Sequence, residues 1–135
     1  GDTPGQGQTV KACLQTLIGS IFCATFEASV LAAKAGVKGE NLFNVFSTSG
    51  AGCGCTNTAL ENIIDRKFEN TGSVIGTMHK DLTISLDLAQ ELEVPMSMAS
   101  SAMQIFHAGK SMYPNGDNWA CTQVIESIVG AELHR

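Results

Sequence analysis

Apolar residues fall on helical spacing almost from the start of the chain. Val10, Leu14, Leu17, Ile21, Ala24, Ala28 and Leu31 form one row, and Cys13, Phe22, Phe26, Val30 and Ala33 form a second. Two rows on one helix predict burial on more than one side. The helix is expected from Thr9 or Val10 to Ala35, with Gly36 as its stop signal. About 27 helical residues extend roughly 40 Å, whereas a compact domain of this size has a radius of gyration near about 14 Å. The helix therefore spans the whole body or projects from it. Its second apolar face calls for a partner surface, either an oligomer or a domain interface. The stretch from Ala12 to Phe26 contains Gln15, Thr16, Gly19 and Ser20 and is flanked by Lys11 and Glu27. It reads as too short and too polar to span a bilayer.

The rest of the chain is also patterned for helices. Glu40 to Phe46 predicts a short helix, followed by a Gly/Ser-rich loop from Ser47 to Gly54. Thr56 or Asn57 can cap a helix running to Lys67, with Leu60, Ile63, Ile64 and Phe68 as its stripe. A second long helix is expected from about Val74 to Leu92, facing Ile75, Met78, Leu82, Leu86 and Ala89 inward, and Pro95 breaks it. Ser97 or Met98 to Ala108 is the next helix, Tyr113 to Asp117 a turn, and Trp119 to Leu133 the last helix. No sustained period-2 alternation is visible, so the expected fold class is all-α, a helical bundle in one domain over residues 1–135. No internal repeat is visible.

Composition narrows the function classes. The chain is 135 residues long, 44% hydrophobic and only 16% charged. Disorder is excluded by that balance, and the low charge implies surface covered by another domain or subunit. The net charge is −5 with no basic run, so neither nucleic acid nor a membrane surface is an expected partner. Five cysteines, at 13, 23, 53, 55 and 121, follow no disulfide framework and predict reduced thiols in a cytoplasmic protein. Cys13 and Cys23 read as small core residues. Cys53 and Cys55 form a CxC without a downstream Cys/His pair; no metal is expected, although a metal or redox module there is the weakest reading retained. The polar start, Gly1 to Gly5, has no apolar stretch typical of a signal peptide. Opening on Gly1 rather than methionine suggests a tag remnant or a piece of a longer chain.

Few residues carry candidate chemistry. Gly5-Gln6-Gly7 falls short of the dinucleotide fingerprint, because Val10 takes the third glycine's place and no strand fits before it. Lys11 is expected in the first turn of a helix otherwise built for burial, where the macrodipole disfavours a cation. Either it snorkels to solvent, or it is an amine whose pKa is lowered there, ready to exchange a proton near neutrality. Gln15 lies one turn on, at i+4, so an ammonium and an amide could share one oxygen-rich ligand. His79-Lys80-Asp81 is either a solvated face or a second cationic contact for an anionic ligand, with Asp81 orienting it. His107 and His134 read as ordinary helix-face and terminal residues.

From Gly5-Gln6-Gly7 through Lys11 to Gln15 the chain resembles the β-hydroxyacid dehydrogenase family, which includes 3-hydroxyisobutyrate dehydrogenase and 6-phosphogluconate dehydrogenase. Its motif, GxGxxxKxxNN, opens the long interdomain helix of a helical C-terminal domain. The resemblance continues through Phe26-Glu27-Ala28, Lys34-Ala35-Gly36, Ser49-Gly50, Lys80-Asp81-Leu82 and Ala89 to Pro95. Two departures from it stand out: the Asn pair is Leu14-Gln15, and Ser73 stands where many members carry Phe. Gln15 and the Ser73-Val74-Ile75 run look like the L-threonate dehydrogenase branch.

The resemblance implies that Lys11 is catalytic, that Gln15 holds the substrate carboxylate, and that Lys80 and Asp81 serve the cofactor. It implies NAD or NADP, bound mainly by an N-terminal Rossmann domain that this chain lacks, so that the chain alone would be inactive. It further implies a small hydroxyacid or sugar-acid substrate and a homodimer or tetramer. The alternative is a non-catalytic helical oligomerisation module derived from the family.

Overall fold

A computed structural model of the chain describes residues 5–135. The polar segment 1–4, in which the sequence shows no signal peptide, lies outside the described residues. Six α-helices follow in order: α1 (Gln6–Lys34), α2 (Gly39–Thr48), α3 (Gly54–Ile64), α4 (Ile75–Glu91), α5 (Ser97–Met112) and α6 (Cys121–Val129), with a short 3-10 turn (Asn118–Ala120) before the last. Among the described residues there is no strand, only an isolated bridge between Val74 and Asp117. The fold is all-α, as the periodicity predicts.

The central element is α1, which packs against all five other helices. Its Phe22, Phe26 and Val30 face is buried. Phe22 meets Trp119 edge-on at 5.0 Å between ring centroids, and Phe26 meets Phe106 at 6.4 Å. Gly19 lets α4 approach closely, since a Cβ there would stand 3.2 Å from the methyls of Leu82. Gly36, with φ of +86°, ends the helix in the left-handed region that glycine adopts without strain.

The first apolar row of α1, which opens on Val10, is not buried within this chain. Val10, Leu14, Leu17 and Leu31 are all more than half exposed, Leu31 at 72%. That corrects the expectation of burial on two sides, because the five other helices cover only one side of a rod about 43 Å long. Cys13 is exposed as well, not a core residue, because it sits on the uncovered arc of the same helix. At 29 residues, with an 18-residue window of mean hydropathy 1.6, α1 has the length and composition to cross a membrane, contrary to the sequence reading. In the fold, however, 44% of that window is buried against the other helices, so it packs as a core helix.

The remaining helices shift by a few residues from their expected bounds. The last differs most. It ends at Val129, four residues before Leu133, because Gly130 turns left-handed with φ of +68°. The tail then folds back over the core. Leu133 is buried, and Gly39 N–H donates to the His134 carbonyl at 2.6 Å. Beneath the tail, Arg66 grips the buried carboxylate of Glu126 with two hydrogen bonds, of 2.6 and 2.9 Å, and Leu133 N–H donates to the same carboxylate.

A second polar lock fixes the start of α4. The buried Asp117 carboxylate accepts from the Thr71 amide and hydroxyl, and Trp119 Nε1–H donates to that hydroxyl at 2.8 Å. Ile75 N–H completes the join by donating to the Gly116 carbonyl at 3.1 Å. This loop sets the position of α4, and with it Asp81.

Candidate active site

Where the first third of α1 crosses α4, the two helices leave an open pocket of about 290 Å³. It is lined by Gln8, Lys11, Ala12 and Gln15 from α1, and by Asp81 and Ile84 from α4. Helical geometry explains the set. Gln8, Lys11 and Gln15 are spaced at i, i+3 and i+7 on one face, and Asp81 and Ile84 are spaced at i, i+3 on the other helix. Three of the four expected site residues are thus brought together.

The polar groups engage one another. Gln15 Nε2 donates to Asp81 Oδ2 at 2.7 Å, a charge-assisted bond between side chains 66 positions apart. Among the described residues the amide oxygen of Gln15 has no hydrogen-bond partner, which leaves it open as an acceptor. One turn on, the buried Ser85 hydroxyl donates to the Ala12 carbonyl of α1 at 2.9 Å, next to Lys11. The pocket therefore holds one mobile cation, one anchored carboxylate and two amides beside an apolar wall.

Lys80 is placed differently. It is exposed on α4 and is not among the pocket-lining residues, since its position is one residue, about 100° of helix, away from Asp81. Lys11 also departs from its expected place. Because α1 begins at Gln6 and not at Thr9, Lys11 stands in the second turn and is exposed. The field of a helix start fades within the first turn, so the macrodipole no longer bears on this amine. Gln8 and Ile84 were not singled out from the sequence. Their only signal there is their i±3 relation to Lys11 and Asp81.

The other candidates lie elsewhere. Cys53 is the exposed residue preceding α3, and hydrogen bonds from the Thr56 hydroxyl and amide lower its pKa below the usual thiol value. Burial raises the pKa of Cys55, and pushes that of Cys121 up to about 12. Among the described residues no group of three or more His, Cys, Asp or Glu is placed to hold a metal. His107 is an exposed residue on the face of α5, as read from the sequence, and it meets His79 of α4 at 2.8 Å.

Comparison with known proteins decides the family. Residues 5–126 match the family model described as the NAD-binding domain of NADP-dependent 3-hydroxyisobutyrate dehydrogenase. The chain belongs to the 3-hydroxyisobutyrate dehydrogenase family. It is 31% identical over 134 residues to 2-(hydroxymethyl)glutarate dehydrogenase of Eubacterium barkeri, a match covering 98% of this chain and 44% of that protein. It is 29% identical over 129 residues to L-threonate dehydrogenase of Escherichia coli K12, covering 95% and 42%. Among solved structures, the crystal structure of a 3-hydroxyisobutyrate dehydrogenase from Salmonella typhimurium superposes with a TM-score of 0.86 at 28% identity, covering 91% of this chain and 43% of that one. The chain thus spans less than half the length of the 3-hydroxyisobutyrate dehydrogenase family members it matches. Membership makes it a relative of hydroxyacid oxidoreductases that use NAD(P).

Proposed function

We propose that this chain is the helical substrate-binding and dimerisation domain of an NAD(P)-dependent dehydrogenase that oxidises the hydroxyl of a small hydroxyacid. The observation that carries the reading is the meeting of Lys11, Gln15 and Asp81 in one pocket. An amine, an amide and a carboxylate around 290 Å³ suit a compact, oxygen-rich molecule. A whole dinucleotide asks for more, because its pyrophosphate needs a GxGxxG turn between a strand and a helix, and neither Gly5-Gln6-Gly7, with Val10 in the third glycine's place, nor Gly50-Ala51-Gly52, with Cys55 there, completes one. The residues present therefore fit the reacting end of the cofactor and the substrate beside it, with the remainder held by a preceding Rossmann domain.

NAD or NADP, when bound, supplies the hydride acceptor. The chain's own groups do the rest. Lys11 Nζ takes the hydroxyl proton as the C–H bond breaks, and returns it in the reverse direction. The reach of its flexible stem into the pocket sets the line of transfer. Gln15 holds the substrate, with its Nε2 already fixed by Asp81, so that its amide plane is oriented before the substrate arrives. Asp81 thereby acts on the substrate through Gln15, and Lys80, exposed beside it, is available to the cofactor. The L-threonate and 2-(hydroxymethyl)glutarate relatives are named for hydroxy acids, and the unpartnered amide oxygen of Gln15 suits an additional hydroxyl. A four-carbon sugar acid such as threonate is the favoured substrate. The exposed row of Val10, Leu14, Leu17 and Leu31 supplies the surface for the first domain and for a second copy in a homodimer or tetramer.

The test is a turnover screen of the natural full-length protein with NAD and with NADP against threonate, 3-hydroxyisobutyrate and 2-(hydroxymethyl)glutarate. Turnover of one of these acids, and none of the corresponding acids lacking the hydroxyl, is expected. Absence of turnover with every acid and both cofactors would leave the non-catalytic oligomerisation module as the better account.

A further inference from the structure

On the α5 side of α4, two residues before Asp81, two imidazoles meet. His79 Nε2 lies 2.8 Å from His107 Nδ1, and the ring centroids are 4.8 Å apart with planes at 61°. A hydrogen bond between two imidazoles requires at least one neutral ring, whose lone pair points at its neighbour. When the donating ring carries its proton on its other nitrogen instead, both facing nitrogens are bare and two lone pairs are free for an ion between the rings. With metal–nitrogen bonds of about 2.0 Å, two cis ligands of a square-planar centre stand about 2.8 Å apart, and two ligands of a tetrahedral centre about 3.3 Å apart. The observed separation fits the first geometry directly and the second after a small parting of the rings.

We propose that His79 and His107 form a two-imidazole site for a borderline divalent transition metal of the Cu2+, Ni2+ or Zn2+ class, clamping α4 to α5. The remaining coordination positions belong to water, since His107 is exposed and, among the described residues, no third His, Cys, Asp or Glu completes a cluster. Imidazole selects these ions, while Mg2+ and Ca2+ require oxygen donors. The Lys110 amine near the pair opposes every divalent cation alike, so the selection rests on the imidazole donors alone. The clamp would fix the turn of α4 that carries Lys80 and Asp81, so the site is set to stiffen the pocket wall without taking part in hydride chemistry.

The test uses the natural full-length protein without an affinity tag. Ni2+ is titrated calorimetrically into wild type, His79→Gln, His107→Gln and the double variant, with Mg2+ as the control ion. One Ni2+ per chain is expected in wild type, with at least tenfold weaker binding in each single variant and a Ni2+-dependent rise in Tm that the double variant lacks. Electron paramagnetic resonance of the Cu2+-loaded wild type is expected to report two imidazole nitrogens, and this holds whether or not the variants fold. Equal Ni2+ binding by wild type and the double variant, no binding up to millimolar Ni2+, or a Cu2+ spectrum without two nitrogens would each overturn the site.

Discussion

Single residues in this protein are read through their neighbours. His79 lies beside an exposed Lys80 on α4, and faces His107 and Lys110 from α5. Burial, Lys110 and His107 lower its pKa below the ordinary 6.5. A group with a depressed folded-state pKa binds its proton more readily in the unfolded chain, so its contribution to stability is present above pH 6.5 and is lost as pH falls. Urea midpoints measured at intervals from about pH 7.5 to pH 5.5 are therefore expected to fall more steeply for wild type than for His79→Gln. Parallel curves would remove His79 from the account. His107 illustrates why the sequence hides such a partner: 28 positions separate the two rings, and only the packing of α4 on α5 joins them.

At the scale of elements, the sequence shows helices well and their ends poorly. The rows on α1 and α4 are strong because they repeat over several turns, and the inward set Ile75, Met78 and Leu82 is buried as expected. The last helix was overextended because apolar Ile128, Val129 and Leu133 keep helical spacing while Gly130 breaks the backbone. The tail that follows is held by the Arg66–Glu126 pair, of which nothing in the sequence spacing gives notice. Glu126 is 4% exposed, and its carboxylate accepts from Arg66 and from the Leu133 amide. Glu126→Gln removes the charge and leaves Arg66 without its partner, which is expected to cost about 3 kcal/mol in chemical denaturation. A loss below about 1 kcal/mol would mean that the pair is worth no more than a surface contact. The pocket residues were legible for a different reason: Lys11 and Gln15 share a helical face, and their motif is similar to that of a known family. Gln8 and Ile84 carry no such motif, so only the crossing of α1 with α4 reveals them.

For the whole molecule, the surface is the telling feature. Only 16% of the residues are charged, and α1 leaves an apolar row open along its length. Sequence periodicity showed that this row is apolar, but it could not show that the chain itself leaves it uncovered. If the proposed dimer or tetramer forms through this row, replacing both Leu17 and Leu31 by Asp is expected to shift the natural full-length protein toward monomer in analytical ultracentrifugation, because each places a charge where apolar contact is needed. An unchanged assembly would show that the row is covered by another part of the same chain.

All of this converges on the crossing of α1 and α4, where an amine faces an amide held by a carboxylate. The most direct measurement is the steady-state rate of the natural full-length protein carrying Lys11→Met, with the best acid from the screen. The account predicts a fall in kcat of about 10²- to 10⁴-fold, with Tm unchanged because Lys11 is exposed. Turnover within a few-fold of wild type would contradict it.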